Sequence, residues 1–340
     1  AMLQQAARLC VYPVINCQDE ELTRLSFDIQ KPEDPNTLRF LEKRTDWDLY
    51  RWRDLAANIA IRATENDQEL NAVAPERQQL SARVGRPLSD VIINERRWVL
   101  FDYPTRASAQ KAGMSYEDYV DFVLKVCLID YDRLQKAEEK LAARLDRSEQ
   151  VHILAPGTDL SFSIKGLPTV CCYGRRNVPD GEVYTAPIRD SVQGVITYNV
   201  PSHYFGQTFN KIRLEFKDGR IVMASCDGDQ ALLDKILATD EGASHIGEFA
   251  FGVNPQILEP IGNTLFDEKI GGSIHFTPGN AYAKADNGNR SAVHWDLIQI
   301  QRPEYGGGEV WLDGELVRKD GLFVTPDLLD LNPDRFPDLS

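Results

Sequence analysis

Hydrophobic and polar residues alternate with a period of two along most of the chain after Val151, in short segments separated by Gly, Pro and Asp-Gly turns. Successive side chains of a strand point to opposite faces of a sheet, so this pattern predicts half-buried, mainly antiparallel strands. "KIRLEFKDGRIVMAS" predicts a hairpin that turns at Asp218-Gly219, and "EVWLDGELV" predicts another at Asp313-Gly314. We therefore expect residues 113–340 to form a β-rich domain with flanking helices, ending in a loosely packed Asp/Pro-rich tail from Pro326.

A helical pattern, with apolar residues three and four positions apart, follows Ser115. Ser115 and Asp118, three residues later, fit an N-terminal cap, and "YVDFVLKVCLIDYDRLQKAEEKLAARL" predicts one long helix behind it. The apolar stripe of this helix is expected to be buried and consists of Tyr119, Phe122, Val123, Val126, Leu128 and Ile129. Such a stripe indicates core packing far more often than a cofactor site.

Residues 1–112 alternate helical and strand-like segments, which predicts an N-terminal α/β domain. "AMLQQAARL" predicts a helix fragment leading into a strand, "CVYPVIN", and "TLRFLEKRTDWDLYRWRDLA" predicts a helix. Two further strands are predicted at "NIAIRAT" and at "RRWVLFDYP", which stops at Pro104. A chain of 340 residues is longer than the chains that usually fold around a single hydrophobic core. The whole pattern therefore predicts an α+β protein of two domains.

Composition and charge exclude several classes of partner. The chain is 42% hydrophobic and 26% charged, as in an ordinary globular protein, and its net charge of −14 disfavours nucleic acid and anionic membrane surfaces. Its six cysteines show no CxxC spacing, which predicts buried free thiols in a reducing compartment. Without a membrane-spanning apolar run or a leader pattern, we expect a cytoplasmic protein.

Four segments place potential metal ligands on the polar side of predicted strands. In "SAVHWDL", His294 and Asp296 share the face opposite to the apolar residues. His275 in "GGSIHF" and Glu248 in "GEFAFGVN" take the polar face in the same way, and Glu182 follows a Pro-Asp-Gly turn in "PDGEVYTAP". Taken singly, each of these side chains is more often solvated or paired than a metal ligand.

Together, three carboxylates and two imidazoles without a thiolate suit a pair of divalent ions of the zinc, cobalt or manganese kind, because one carboxylate can bridge them. The alternative is that each acid and each histidine is separately solvated or salt-bridged. The residue pattern by itself leaves both interpretations open.

Several separated motifs follow one another as they do in the metallo-aminopeptidases of the aminopeptidase T and aminopeptidase S family of thermophilic enzymes. These motifs are "GTDLSFSIKG", "RRNVPDGEVYTAPIRDSVQGVITYNVPS", "IRLEF", "GEFAFGVNP" and "TLFDEKIGGSIHFTPGNAYAKADNGNRSAVHWDLI". The sequence resembles that family most strongly from about Trp98 to Ile298. The resemblance implies a helix-and-sheet domain before a β-rich catalytic domain, a homodimer with enclosed active sites, and two divalent ions (Zn, Co, Mn or Mg) that drive removal of N-terminal residues from short peptides.

Family members usually have an additional strand and helix before the point where this chain starts. We therefore expect the N-terminal domain to be truncated or incomplete.

By the same resemblance, the ligands of the family fall on Glu182, Glu248, His275, His294 and Asp296. Tyr282 matches a tyrosine at the metal site, and Glu268 matches an acid close to it. Our hypothesis is that Glu268 or Glu248 carries the proton of the attacking water. Tyr282 would stabilise the oxyanion or bind metal, and a packed structural aromatic is the alternative for this residue. His203 matches no site residue of the family and is expected to be structural.

Two other functions are alternatives to the aminopeptidase activity. His275, His294 and Asp296 alone form the facial triad of mononuclear Fe(II) oxygenases, and ring-cleaving dihydroxypyridine dioxygenases resemble this peptidase family in fold. The presence of Glu182 and Glu248 favours two ions over one iron. A non-catalytic binding protein is disfavoured because clustered charged residues without a metal are costly.

Overall fold

The structure is a computed structural model that describes residues 2–204 and 206–336. Its α-helices are α1 (Met2–Arg8), α2 (Glu20–Asp28), α3 (Pro35–Asp54), α4 (Pro75–Asp90), α5 (Arg106–Lys111), α6 (Tyr116–Cys127), α7 (Tyr131–Leu145), α8 (Gln230–Leu237) and α9 (Thr264–Asp267). A π-helical turn, Val91–Glu95, continues from α4, and short 3-10 turns connect other elements.

The strands fall mainly in the second half of the chain. They are β1 (Ala57–Arg62), β2 (Arg97–Asp102), β3 (Gln150–Ala155), β4 (Thr158–Ser163), β5 (Val170–Cys172), β6 (Asn177–Val178), β7 (Glu182–Thr185), β8 (Gln193–Thr197), β9 (Ser202–Tyr204), β10 (Gln207–Lys217), β11 (Arg220–Asp227), β12 (Ile246–Gly252), β13 (Ser273–Pro278), β14 (Ile298–Ile300), β15 (Glu309–Leu312), β16 (Glu315–Lys319) and β17 (Leu322–Phe323).

The N-terminal region contains a parallel sheet in the order β1-β2-β6. The helix α3 packs against α4 beside it, so the predicted alternation of helix and strand is confirmed for α3, β1 and β2. The third strand, β6, comes from far beyond residue 112. The domain division at residue 112 stays a prediction.

Two antiparallel sheets make up the second region. The larger has the order β11-β10-β8-β4-β3-β15-β16-β17, with β9 beside β10, and the smaller has the order β14-β13-β12-β7-β5. Both predicted hairpins are confirmed: Asp218 and Gly219 have φ of 50° and 78°, and Asp313 and Gly314 have 49° and 83°. Positive φ at both turn residues is what a two-residue hairpin of matching twist requires. The α+β class is therefore confirmed.

The main core lies between these two sheets. Phe249 and Phe276 of the smaller sheet each lie 5.0 Å, centroid to centroid, from the ring of Phe162 of the larger sheet. A second apolar cluster covers part of the other face of the smaller sheet, where Val123 and Val126 of α6 pack with Ile300 of β14. The smaller sheet is thus the central layer of the molecule, and its second face is only partly apolar.

The long helix predicted after Ser115 is two helices, α6 and α7. The Ser115 cap is confirmed, since its hydroxyl accepts from the Asp118 N–H at 3.1 Å. The prediction missed Asp130, whose carboxylate caps α7 by accepting from the Arg133 N–H at 2.9 Å. Leu128, in the break between the helices, is 63% exposed instead of buried.

Two further predictions are wrong. The strand predicted at "CVYPVIN", residues 10–16, does not form: Tyr12 is exposed, and Pro13 has no N–H for a ladder. The tail after Pro326 is not loose, because its apolar residues Leu328, Leu331 and Phe336 pack into the main core. Residues 337–340 lie outside the described residues.

All six thiols are predicted to be buried, but only Cys127 is fully buried. All six cysteines are free, but Cys10 and Cys17 are exposed and the other three are half-buried. No helix within residues 2–204 and 206–336 has both the length and the hydropathy needed to cross a bilayer.

Candidate metal centre

The polar face of the smaller sheet is built by alternation along β7, β13 and the part of β12 that follows the irregularity between Ile246 and Glu248. Phe249 and Phe276 point into the main core, so Glu248 and His275, their neighbours in sequence, point to the other face. The register places Ala250 of β12 opposite His275, and places Gly252 opposite Glu182 of β7. Because β12 carries only small side chains at these two positions, the larger polar side chains of β7 and β13 can meet above it.

Three of the predicted ligands form a tight cluster on this face. Ligand atoms of Glu182, Glu248 and His275 all lie within 4.8 Å of one another. His275 Nε2 is 3.0 Å from Glu248 Oε1 and 3.7 Å from Glu182 Oε2. All three residues are buried.

The other two predicted ligands reach the same cluster from the segment before β14. His294 Nε2 is 3.4 Å from Asp296 Oδ1 and 4.0 Å from Glu248 Oε2. One oxygen of Glu248 therefore faces His275 and the other faces His294. The structure brings all five predicted ligands together.

The segment that carries His294 and Asp296 is not the strand that the sequence predicts. Its alternation is real, because Val293, Trp295 and Leu297 are buried in the main core. Backbone hydrogen bonds join it to β13 and the residues that follow: the Phe276 N–H donates to the Leu297 carbonyl, the Trp295 N–H to the Pro278 carbonyl and the Asn280 N–H to the Val293 carbonyl. The strand β13 ends at Pro278, which has no N–H to continue a ladder with this segment. The segment is thus extended backbone that pairs with β13 and the residues after it, but too irregularly to form a regular strand.

Both histidines are oriented by backbone carbonyls. His275 Nδ1 lies 3.1 Å from the Glu268 carbonyl oxygen, and His294 Nδ1 lies 2.8 Å from the Asn280 carbonyl oxygen. A carbonyl only accepts, so each Nδ1 carries the proton and each Nε2 is directed at the cluster. Metal-binding histidines are oriented in this way in many proteins.

A third orienting contact comes from Thr277, whose hydroxyl donates to Asp296 Oδ1 at 2.8 Å. Thr277 is not among the site residues predicted from the sequence. The signal was present, because Thr277 lies two residues after His275 on β13 and so shares its face.

Glu268, the predicted additional acid, follows α9 and is paired with a lysine. The Lys269 ammonium is fully buried and contacts Glu268 Oε1. Burial disfavours the charge of Lys269, but Glu268, Glu182 and Asp180 outweigh burial and raise its pKa above the usual value. Burial also raises the pKa of Glu268, against the influence of Lys269. Sequence reasoning missed Lys269, since nothing in "FDEKIGG" indicates a buried ammonium.

Tyr282 lies at the rim of the cluster. Its ring centroid is 4.4 Å from that of His294 and 6.0 Å from that of Tyr184, and the residue is 41% exposed. Exposure to this extent does not fit an ordinary packed core aromatic. His203 lies outside the cluster, where its Nδ1 bonds the Thr208 hydroxyl at 2.8 Å, although it lines a small cavity together with Asp296.

The donor set fits divalent metal ions. Glu182 Oε2 and Glu248 Oε2 are buried and have no hydrogen-bond partner, which is costly for a carboxylate unless a cation satisfies it. Burial raises the pKa of both acids. Burial also disfavours protonated histidine, but the surrounding carboxylates dominate and raise the pKa of His275 to about 9 and that of His294 to about 10. The cluster therefore favours positive charge, supplied by protons or by metal ions.

Comparisons with known proteins agree with this geometry. Residues 1–315 match the model of the thermophilic metalloprotease family, M29. Aminopeptidase T from Thermus aquaticus is 30% identical over 314 residues, which are 79% of this chain and 74% of that protein. Aminopeptidase PepS from Streptococcus thermophilus is 27% identical over 317 residues, covering 78% of this chain and 73% of that protein.

Two solved structures share the fold. Wild-type AmpT from Thermus thermophilus superposes with a TM-score of 0.78 at 23% identity, over 95% of this chain and 90% of that one. The 2,5-dihydroxypyridine dioxygenase from Pseudomonas putida KT2440 superposes with a TM-score of 0.54 at 16% identity, over 85% and 98%. Since the family model matches far more than half of the chain, the protein belongs to the thermophilic metalloprotease family M29 and is a hydrolase that acts on peptides.

Proposed function

We propose that this protein is an aminopeptidase that removes the N-terminal residue of short peptides and uses two divalent metal ions, Zn, Co, Mn or Mg. The observation that carries the proposal is the meeting of five ligand side chains from four segments around two carboxylate oxygens that accept no hydrogen bond. The names of the related proteins support the exopeptidase activity. The homodimer and the cytoplasmic location that the resemblance implies belong to the same proposal, and sedimentation of the purified chain tests the dimer.

The position of Glu248 suggests how the ligands divide. Its Oε1 lies near His275 and its Oε2 lies near His294, so Glu248 would be the carboxylate that both groups of ligands share. Glu182 and His275 would then complete one binding site, and His294 and Asp296 would complete the other. The Thr277 hydroxyl orients Asp296 by a hydrogen bond. The backbone carbonyls of Glu268 and Asn280 orient the two histidines in the same way.

When bound, the ions supply Lewis-acid polarisation of the scissile carbonyl and lower the pKa of a water molecule. Glu248 has both oxygens directed at histidines, so Glu268 is the better candidate to carry a proton from that water to the leaving amine. The ammonium of Lys269 favours the ionised form of Glu268, as a proton acceptor requires. Tyr282, at the rim, can donate a hydrogen bond from its phenol to an oxygen of the substrate.

The second candidate is a mononuclear Fe(II) dioxygenase that uses His275, His294 and Asp296. A specific observation favours it, namely the fold shared with the Pseudomonas putida enzyme. Glu182 and Glu248 argue against it, because both are directed into the same cluster and extend the ligand set beyond a facial triad. Two Zn, Co or Mn ions per chain support the peptidase, whereas one iron with O₂ uptake on an aromatic diol supports the dioxygenase.

The decisive variants are Glu248→Gln and His294→Ala. We expect each to reduce metal-activated release of N-terminal residues from dipeptides and aminoacyl amides by about a thousandfold or more, equivalent to ~4 kcal/mol of transition-state stabilisation. Circular dichroism should show that both variants keep the fold. The matched control is Glu117→Gln, at an exposed position in the first turn of α6, which should keep full activity. Full activity in either cluster variant would reject the assignment.

A further inference from the structure

A second group of possible ligands lies beside the candidate metal centre. Ligand atoms of Cys172, Asp180 and Glu182 also lie within 4.8 Å of one another. Cys172 of β5 is directly opposite Glu182 of β7 in the antiparallel register, so the thiol shares the sheet face of the cluster. Asp180 precedes β7 by two residues. Glu182 is the single residue of this group that also belongs to the candidate metal centre.

Asp180 is held in place by hydrogen bonds, but one of its two carboxylate oxygens accepts none. The residue is 1% exposed. Its Oδ2 accepts from the Gly174 N–H at 2.8 Å, its own N–H donates to the Tyr131 hydroxyl at 3.2 Å, and its carbonyl accepts from Asn254 Nδ2 at 2.7 Å. Its Oδ1 is buried without a hydrogen-bond partner. An oriented carboxylate with one oxygen unsatisfied is suited to ligate a cation.

The local charge also favours a cation. Glu138 of α7 is fully buried, and its charged neighbours include Asp180 and Glu182. The buried cation on this side is Lys269, whose ion pair is with a fourth acid, Glu268. Both carboxylate oxygens of Glu138 are buried without a hydrogen-bond partner. Buried carboxylate oxygens in this state are stabilised by a proton or by a bound cation.

We propose that Cys172, Asp180 and Glu182 form a further binding site for a thiophilic divalent cation, zinc or cobalt, adjacent to the candidate metal centre. Cys172 would bind as a thiolate, and its proton would pass to solvent. A thiolate with carboxylates favours zinc and cobalt over magnesium and manganese, in contrast to the thiolate-free set of the neighbouring centre. Cys172 is the least buried of the three residues, since Asp180 and Glu182 are only 1% and 7% exposed.

Cobalt titration of the metal-free full-length chain tests the site directly. A cobalt–thiolate bond gives a ligand-to-metal charge-transfer band in the near ultraviolet, which carboxylate and imidazole ligands do not give. We expect the band in the unmodified protein, its loss in Cys172→Ser, and at least tenfold weaker cobalt binding to this site in Asp180→Asn. The matched control is Cys171→Ser: the adjacent residue of β5 points to the opposite face of the sheet, so this variant should keep the band.

A second measurement needs no variant. The rate of alkylation of Cys172 by iodoacetamide, followed by peptide mass spectrometry, should fall at least fivefold when zinc is added, whereas the rate at Cys171 should not change. Magnesium should protect neither thiol. Absence of both the band and the protection, in a protein that still binds two ions and hydrolyses peptides, would overturn this site and leave the proposed peptidase function intact. If the chain binds no ion at all, the peptidase proposal fails as well.

Discussion

The two faces of the smaller sheet are made by the same strands but are stabilised in opposite ways. On one face Phe276 is 0% exposed and packs among aromatic rings. On the other, its neighbour His275 is 1% exposed and lies among carboxylates. The apolar face contributes hydrophobic free energy whether or not metal ions are bound, whereas the polar face is stable only when its charges are compensated. Equal burial therefore does not imply the same source of stability on the two faces. Metal ions should change the stability of the polar face and leave that of the apolar face unchanged.

The largest effect is expected on the apolar face. Phe276→Ala removes a ring that packs against Phe162 and Phe249, so it should lower the free energy of unfolding by about 3–5 kcal/mol. Urea denaturation measures this change, and the same loss should appear with and without a chelator. A loss that depends on the chelator would show that the two faces are coupled.

Removal of metal ions should act on the polar face alone. An ion present at 100 times its Kd stabilises the folded state by about 2.7 kcal/mol, so a chelator should lower Tm by the corresponding amount. Thermal melts with and without EDTA measure the shift. Phe276→Ala should keep this metal-dependent increment, and Glu248→Gln should lose most of it. Identical melts of the unmodified protein in both conditions would contradict ion binding at the cluster.

The alternation that separates the two faces could be predicted from sequence. Glu248 and His275 were placed opposite to phenylalanines on strands that the structure confirms as β12 and β13. Alternation is a local property of extended backbone, so it also located the polar side of residues 293–297, which form no regular strand. The capped start of α6 was equally predictable, because Ser115 acts on a group three residues away.

The assembly of the site could not be predicted from the residues alone. That Glu182, Glu248 and His275 meet depends on the register of β7, β12 and β13, which is set by pairing between residues far apart in sequence. The family resemblance provided this set. Neither approach identified Lys269 or Asp130, because a lysine beside a glutamate usually indicates a solvated pair, and an aspartate inside a long apolar pattern does not by itself reveal a helix break.

A smaller effect is expected where a side chain supports a ligand without binding metal. Thr277→Val removes the hydrogen bond to Asp296 at nearly constant volume and should weaken metal binding about 10- to 100-fold. Titration of the purified variant with cobalt or manganese gives the Kd. The matched control is Thr185→Val on β7, whose hydroxyl bonds the Pro168 carbonyl at 3.0 Å. Equal Kd changes in the two variants would mean that the loss of stability, not the orientation of Asp296, determines the affinity.

The smallest effect is expected at α6, which belongs to the second apolar cluster but carries none of the candidate ligands. Ser115→Ala removes the hydroxyl that accepts from the Asp118 N–H, and it should cost about 1 kcal/mol of stability. Because α6 touches the sheet through apolar residues such as Val126, metal affinity should not change. Urea denaturation and cobalt titration on the same sample measure the two quantities together, with Ser115→Asp as a variant that retains a capping side chain. If Ser115→Ala weakened metal binding while Ser115→Asp restored it, the apolar packing beside β14 would have to be counted among the contacts that position the ligands.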